Sequence, residues 1–242
     1  MSWLSRFRGP WGPLASLRRM VFLEHTGLDG RENILLARDR LLSRFVADKN
    51  MDIADATPQG KLRSLEARVE VTHSAIPTVF AVIPDGRKTW LVGEFVKGLP
   101  LSQLVDELSP ENIYLIARDL LSALGCLERL RLVHGDLSPN KVVVDVNGQV
   151  RLLDFESCGR VGQPFSESAT IGFSAPERHS RKVSLPTIDT WSVGALIIWL
   201  ITQAAPSVVY DESRKPVGVE VNEGRNRADM LSDLLNLAVA AA

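Results

Sequence analysis

The sequence predicts an α+β protein of two lobes, a small β-rich lobe followed by a mostly helical one. From Val21 to Leu91, short apolar runs are separated by turn residues, which is typical of an antiparallel sheet. After Gly98 the apolar residues recur at helical spacing instead. We therefore divide the chain into an N-terminal extension (1–20), a β-rich lobe (21–96) and a helical lobe (97–242).

Composition and charge indicate an ordinary globular protein and give no support for nucleic-acid or membrane partners. The chain has 242 residues, 45% of them apolar, and a formal net charge of -1. No global field favours nucleic acid or an anionic membrane, so we expect neither as a partner. The longest apolar run, 193–201, is too short to span a bilayer. Cys126 and Cys158 have no metal-ligand spacing, and we expect reduced thiols in an intracellular protein.

The N-terminal extension is basic and free of acidic residues. It carries four arginines together with Trp3 and Trp11. Such a composition is found in organelle transit peptides, but Gly9-Pro10 and Gly12-Pro13 interrupt any continuous amphipathic helix. We favour an extension that packs its aromatic residues onto the domain.

Five candidate strands and one helix make up the predicted β-rich lobe. Pro84-Asp85-Gly86 predicts a hairpin between the last two strands. The helix covers residues 59–72, begins at Thr57-Pro58, and has an apolar face that includes Val69 and Val71. The strands are 20–23, 34–37, 45–47, 79–83 and 89–92.

The helical lobe begins with a short helix, 101–108, and continues with a long helix that Ser109-Pro110 opens. Asn147-Gly148 predicts a hairpin between strands 142–146 and 150–153. Residues 190–202 are apolar nearly all round and predict a buried helix. The remainder is a polar stretch, 204–224, and one predicted helix, 228–241.

Four motifs in the helical lobe occur in a fixed order. They are His134-Gly135-Asp136-Leu137-Ser138-Pro139-Asn140-Lys141, Asp154-Phe155-Glu156, Ala175-Pro176-Glu177 and Asp189-Thr190-Trp191-Ser192-Val193-Gly194. In this order and at these separations they resemble the catalytic loop, the Asp-Phe-Gly and Ala-Pro-Glu motifs and the anchoring helix of protein kinases. The resemblance extends over about residues 21–203 and implies the two-lobe kinase fold.

The resemblance also implies an ATP site in the β-rich lobe, in a degenerate form. Lys49 stands where the family has its ATP-phosphate lysine, and Glu94 and Val96 lie in the expected hinge. Gly27 and Gly30 are either the remains of the glycine-rich loop or a plain β-turn. Glu66 would pair with Lys49, although counting back from Pro77 places Ala67 there instead.

Departures from the kinase pattern fall on the catalytic positions. Asp136 keeps the place of the residue that accepts the substrate proton, and Asp154 keeps a metal-binding place. Ser138 replaces a lysine that would stabilise phosphoryl charge. Lys141 replaces a metal-binding asparagine, and an ammonium repels Mg²⁺. A shift of the loop could bring Asn140 into that place.

Two further departures change the activation segment. Glu156 replaces a glycine, and its carboxylate would either hold a cation or repel ATP phosphates. Gly135 replaces an arginine that would pair with a phosphorylated segment, so we expect no activation by that route. His134, Phe155 and Asp189, the positions that pack the lobe interior in kinases, are retained. Retained packing with altered catalytic residues predicts a pseudokinase.

A narrower resemblance concerns the mitotic checkpoint. The chain is similar to the Bub-type checkpoint kinases and their inactive BubR-type relatives in four features. They are His134-Gly135-Asp136, the stretch 167–173, the N-terminal extension and a helical lobe that looks shortened. This resemblance implies a kinetochore component located in the nucleus, with a role in the cell cycle and chromosome segregation.

Three functions remain open from the sequence. The first is a pseudokinase that needs no cofactor and acts as a scaffold for protein partners. The second is an active, atypical Ser/Thr kinase that uses Mg-ATP with Lys49, Asp136 and Asp154. The third is a nucleotide-binding switch without phosphotransfer. We expect the first, because Ser138, Glu156 and Lys141 all depart from the catalytic pattern.

Overall fold

The structure is a computed structural model that describes residues 20–25, 34–39, 44–52, 68–85, 88–164, 170–181, 183–213 and 215–221. These residues fall into two compact units. The N-terminal unit contains the described residues up to Glu70 together with Pro77–Val96, and the C-terminal unit contains Val71–Ile76 together with those from Lys97 onward. The N-terminal extension and the predicted helix 228–241 lie outside the described residues.

A five-stranded antiparallel sheet forms the N-terminal unit, with strand order β1-β2-β3-β5-β4. All five predicted strands are confirmed, and the hairpin is confirmed by the pairing of Asp85 with Lys88. The third strand is longer than its apolar run of three residues, because both neighbouring strands continue its hydrogen-bonded ladder. The strands are β1 (Met20–His25), β2 (Ile34–Asp39), β3 (Arg44–Asp52), β4 (Val79–Asp85) and β5 (Lys88–Glu94).

The buried centre of this sheet consists of Ala37, Val46, Trp90 and Val92. Only the end of the predicted helix 59–72 is described, and it corrects one expectation. Val69 is 46% exposed, whereas Val71 is buried. The two valines therefore do not share an apolar face, because the helical residues end before Val71.

Helices dominate the C-terminal unit. They are α1 (Leu101–Leu104), α2 (Pro110–Arg129), α3 (Pro176–Arg181) and α4 (Pro186–Thr202). The predicted helix 101–108 is too long, because a turn closed by Glu107 N donating to Leu104 O follows α1. The start of α2 is confirmed, since Ser109 and Asn112 cap it reciprocally at 3.1 and 3.2 Å. The buried helix α4 is also confirmed, four residues longer at its start.

Short strands lie before, between and after these helices and pair in small antiparallel sheets. They are β6 (Gly98–Pro100), β7 (Leu132–Val133), β8 (Val142–Asp145), β9 (Val150–Leu152), β10 (Gly159–Arg160), β11 (Ser207–Tyr210) and β12 (Pro216–Glu220). The hairpin β8–β9 around Asn147-Gly148 is confirmed. The hairpin β11–β12 lies in the polar stretch to which the sequence assigned no strand.

The core of the C-terminal unit lies where α2, α4 and β7 pack together. Cys126 in α2 and Cys158 just before β10 are both buried, and neither forms a disulfide. Within the described ranges, no helix combines the length and the apolar character that crossing a bilayer requires. This core contains β7, from which the loop to β8 that carries the candidate site begins.

Candidate active site

The first turn of α4 anchors the start of the loop between β7 and β8. The backbone N–H groups of His134 and Gly135 donate to the two carboxylate oxygens of Asp189, at 2.6 and 2.8 Å. Burial raises the pKa of Asp189 to about 6, against the effect of these two hydrogen bonds and of the charge of Arg178. The retained Asp189 therefore has a structural role that matches its predicted one.

His134 is buried and makes a contact with each ring nitrogen. Nε2 lies 3.0 Å from the Leu153 carbonyl, and Nδ1 lies 3.3 Å from the backbone nitrogen of Asp136. Because a carbonyl can only accept and an N–H can only donate, this geometry requires the neutral ring with its proton on Nε2. Burial lowers the pKa of His134 to about 4. Phe155 packs edge-on against the ring at 4.6 Å, so the predicted interior packing is confirmed.

The carboxylate of Asp136 is bound on both oxygens. Oδ1 accepts from the backbone N–H of Thr170 at 2.9 Å and from its hydroxyl at 2.8 Å. Oδ2 accepts from the ammonium of Lys141. Burial alone would raise the pKa of Asp136, but the hydrogen bond and charge of Lys141, joined by Thr170, outweigh it and hold this pKa below its usual range. The carboxylate is thus kept ionised and occupied.

Lys141 bridges Asp136 and Asp154. Its Nζ pairs with Oδ2 of Asp136 and lies 3.2 Å from Oδ2 of Asp154. The side chains are only 14%, 6% and 11% exposed for Lys141, Asp136 and Asp154. Asn140, the alternative metal-binding residue, is exposed. Lys141, by contrast, is largely buried and contacts both acids.

Two backbone features hold Asp154 toward Lys141. Leu153 N donates to the Lys141 carbonyl at 2.7 Å, which joins the end of β9 to the catalytic loop. Asp154 itself has a left-handed backbone, with φ of 63° and ψ of 70°. This conformation costs a non-glycine residue about 1–3 kcal/mol and persists only where surrounding contacts impose it. The following residues, Phe155–Ser157, form a 3₁₀ turn in which Glu156 is half-buried.

Ser138 is buried and supplies no charge. Its carbonyl accepts from Lys141 N at 2.9 Å, and this bond closes the turn that carries Lys141. Arg178, which follows the Ala175-Pro176-Glu177 motif, was not among the site residues predicted from the sequence. Arg178 is 4% exposed, and the charges of Asp136 and Asp189 both act on its guanidinium. The position of this charged residue directly after a recognised motif was the available signal.

Thr170 is the second residue whose contact the sequence analysis missed. It lies within the stretch 167–173, and it provides two of the three hydrogen bonds to the Asp136 carboxylate. The contact joins positions 34 residues apart, so local sequence patterns carry no signal for it. Tertiary structure alone brings the two residues together.

The residues predicted to bind ATP lie in the N-terminal unit or outside the described part. Lys49 is in the middle of β3, where it pairs with Ile34 of β2 and Leu91 of β5. Glu94 is the last residue of β5, and its carboxylate accepts from Thr78 N at 3.1 Å. Val96 is half-buried in the segment that follows. Gly27, Gly30 and Glu66 are not among the described residues.

The chemistry of the C-terminal part of the site follows from its charges. Two carboxylates face one ammonium, so the cluster formed by Asp136, Lys141 and Asp154 has a formal charge of -1. Within the described residues, no group of three or more His, Cys, Asp or Glu side chains comes together that could hold a metal ion. The two acids that could share Mg²⁺ share the Lys141 ammonium instead.

Comparisons with known proteins agree with the order of the motifs. The protein kinase domain family matches residues 31–228. The chain is 30% identical over 193 residues to sperm motility kinase 2B of Mus musculus, covering 77% of this chain and 40% of that protein. It is 28% identical over 202 residues to maternal embryonic leucine zipper kinase of Danio rerio, covering 78% of this chain and 30% of that protein.

A solved structure shares the fold. The Cydia pomonella granulovirus kinase PK-1 superposes with a TM-score of 0.68 at 16% identity, over 90% of this chain and 80% of that one. The chain spans less than half the length of the two curated relatives above. Motif order, family match and fold together lead to one conclusion: this chain belongs to the protein kinase domain family.

Proposed function

We propose that this protein kinase domain does not transfer phosphate efficiently and acts as a pseudokinase that binds other proteins. One observation supports the proposal above the others. The Lys141 ammonium lies between Asp136 and Asp154, where a kinase would need its acids available to a proton and a metal ion.

Electrostatic repulsion disfavours binding of Mg²⁺ beside the ammonium at this position. Mg²⁺ requires oxygen ligands at about 2.0–2.1 Å. An ion bound to Asp154 would therefore lie within a few Å of Lys141 Nζ, which is 3.2 Å from the same carboxylate. At about 4 Å and an effective dielectric constant near 20, repulsion between +2 and +1 charges is about 8 kcal/mol. Either the lysine moves away or the metal does not bind.

The phosphate side of the reaction is weakened as well. Ser138 cannot neutralise a transferring phosphoryl group, and the loss of one such cation typically costs 10²–10³ in rate. The cluster of two acids and one lysine has a net negative charge, which disfavours a phosphate. The Lys141 ammonium therefore repels the Mg²⁺ ion, and the phosphates of ATP lack the cation that would neutralise them.

Binding of ATP with and without Mg²⁺ tests the proposal. We expect the melting temperature of the wild-type chain to show no Mg²⁺-dependent increase when ATP is added. Lys141→Asn should introduce such an increase, because it removes the ammonium and provides an amide oxygen as a ligand. Lys141→Met is the matched control, since it removes the charge without providing a ligand.

Two outcomes would contradict the proposal. Phosphorylation of a generic substrate by the wild-type chain that disappears in Asp154→Ala would establish the active-kinase alternative. Clear stabilisation of the wild-type chain by ATP without turnover would favour the nucleotide-binding switch. The retention of Asp136 and Asp154 makes the first of these the main competitor.

Partner and location are part of the same proposal. We propose a protein partner, and a nuclear, kinetochore location that rests on the Bub-type resemblance of His134-Gly135-Asp136 and residues 167–173. Co-purification with kinetochore proteins from mitotic cells would support it. A tagged chain that is excluded from the nucleus throughout the cell cycle would contradict it.

A further inference from the structure

The activation segment is tied to the catalytic loop through one carboxylate. Oδ1 of Asp136 accepts the two hydrogen bonds from Thr170, and Oδ2 accepts from the Lys141 ammonium, which also contacts Asp154. We call these four residues the acid–lysine network. Asp136 and Thr170 are 34 positions apart in the chain. The network therefore joins the two acids of the site to a distant segment by side-chain contacts.

Thr170 is the first residue of a β-turn whose other end is also held. The backbone N–H of Phe173 donates to the Thr170 carbonyl at 3.1 Å, and Gly172 has a φ of +83°, as the third residue of a type II turn requires. Phe173 is buried, and its carbonyl accepts from the Ser192 hydroxyl of α4 at 2.7 Å. The turn 170–173 is thus fixed at one end by α4 and at the other by Asp136.

Lys141 provides the cation on which this second attachment depends. Activation segments of kinases are commonly ordered by a phosphate group that pairs with arginine, and here Gly135 replaces the arginine of the catalytic loop. Against the effect of burial, the hydrogen bond and charge of Lys141 hold the pKa of Asp136 below its usual range. The carboxylate is therefore ionised and accepts both bonds from Thr170, and such charge-assisted bonds are about twice as strong as neutral ones.

We propose that Lys141 acts through Asp136 to hold the turn 170–173 in one conformation, without a phosphate group and without a metal ion. This role rests on the proposed function, because Mg²⁺ bound at Asp154 would displace the lysine. It goes further in giving the retained Asp136 a structural task, that of holding Thr170. The conformation of this part of the activation segment is then independent of nucleotide and of phosphorylation.

Amide hydrogen exchange resolved by residue tests this role in the full-length chain. The Thr170 N–H, which is bound to Asp136, and the Phe173 N–H, which is bound to the Thr170 carbonyl, report on the network. The Ser184 N–H donates to the Gln163 carbonyl at 2.8 Å, outside the network. Its exchange is the reference that reveals a general loss of stability.

The two reporter amides should be protected in the wild-type chain with EDTA present, before and after phosphatase treatment. Lys141→Met should accelerate their exchange at least tenfold relative to the Ser184 amide, because Asp136 loses a charged hydrogen-bond partner. Lys141→Arg keeps a cation and should retain most of the protection. Ile171→Ala is the matched control, since Ile171 lies in the same turn and is 94% exposed, and it should change neither amide.

Thr170→Val tests the other end of the network and leaves every charge in place. It removes the hydroxyl bond to Asp136 and should accelerate exchange of both reporter amides about fivefold, the effect of one lost hydrogen bond. Combined with Lys141→Met it should add less than this factor, because both changes weaken one shared contact. If Lys141→Met does not fold, Thr170→Val and the wild-type measurement in EDTA decide the question.

Four results would overturn the proposal. They are wild-type exchange of the Thr170 amide as fast as in an unfolded peptide, loss of its protection after phosphatase treatment, unchanged exchange in Lys141→Met or Thr170→Val, and strict additivity in the double variant. The result with ATP is separate. Stabilisation of the wild-type chain by ATP that depends on Mg²⁺ would contradict the proposed function, whereas protection in EDTA would still support the role of Lys141.

Discussion

Lys141 determines the electrostatics of the candidate site. Its ammonium keeps Asp136 ionised against a burial that would otherwise favour the protonated acid. The same ammonium contacts Asp154, so both acids are held by a cation that belongs to the chain. A metal ion would fulfil this role in a metal-dependent kinase site. Replacing it by a side chain makes the arrangement of the acids independent of metal concentration.

His134 and Asp189 oppose one another in the dependence of stability on pH. Burial lowers the pKa of His134 from 6.5 to about 4, so the unfolded chain binds more protons there and stability rises with pH across that range. Burial raises the pKa of Asp189 from 3.8 to about 6, so the folded chain binds more protons and stability falls as pH rises across that range. The two contributions largely cancel between about pH 4 and 6.

Removing the Asp189 carboxylate should reveal the pH dependence of stability that His134 contributes. We predict that Asp189→Asn changes the slope of unfolding free energy against pH by about +1.4 kcal/mol per pH unit between pH 4 and 6. Urea denaturation at several pH values measures this slope for the wild-type and variant chains. The slope separates titration from the constant cost of the lost hydrogen bond. Parallel profiles would mean that Asp189 does not titrate in this range.

The loop from β7 to β8 depends on a glycine at its second residue. Gly135 has a φ of +82°, and a Cβ there would lie 2.8 Å from the Ser157 carbonyl oxygen. The arginine that the kinase pattern would place at this position therefore does not fit this backbone. Gly135 therefore allows the loop to pack closely against Ser157, and it also lacks the charge that would pair with a phosphorylated activation segment.

Gly148 provides a matched control for this packing. It also has a positive φ, +76°, but a Cβ there would meet nothing within 4 Å. Gly148→Ala should cost only the strain of a left-handed alanine, about 1–2 kcal/mol. Gly135→Ala should cost at least about 1 kcal/mol more, because Ser157 must move. Equal losses of unfolding free energy in urea would show that the loop yields to the added methyl group.

The elements differed in how far the sequence could predict them. The long helix from Pro110 and the Asn147-Gly148 hairpin were predictable because their caps and turn residues are local signals. The β11–β12 hairpin was not, since its alternation is short and a bulge interrupts it between Val209 and Tyr210. The predicted helix 101–108 was too long because apolar spacing does not indicate where a helix ends without a stop signal.

The candidate site was predictable in its residues but not in its contacts. Asp136, Ser138, Lys141 and Asp154 followed from motif order. The sequence indicated that Lys141 would repel Mg²⁺, but not that its ammonium would pair with both acids. The hydrogen bonds from Thr170 and the charge of Arg178 depend on long-range packing. Sequence motifs therefore predict which residue types occupy the site more readily than they predict the contacts between them.

At the scale of the whole molecule, the residues predicted to bind ATP and to act in transfer are divided between the two units. Lys49 lies on β3 of the N-terminal unit, and the acids lie in the C-terminal unit. Kinase catalysis consists mainly of positioning and charge neutralisation, so its separate losses multiply in the rate. If Lys141 and Ser138 are the principal defects, correcting both should restore more than correcting either one.

We therefore predict stepwise recovery in a repaired chain. Lys141→Asn should gain Mg²⁺-dependent ATP binding with little transfer, because no cation yet stabilises the phosphoryl group. Adding Ser138→Lys should raise the transfer rate by about 10²–10³ over the single variant. Radiolabelled ATP with a generic protein substrate measures this rate, and Lys49→Met in the double variant is the control that should abolish it. No gain in the double variant would place the decisive loss outside Lys141 and Ser138, either at Glu156 or in the N-terminal unit.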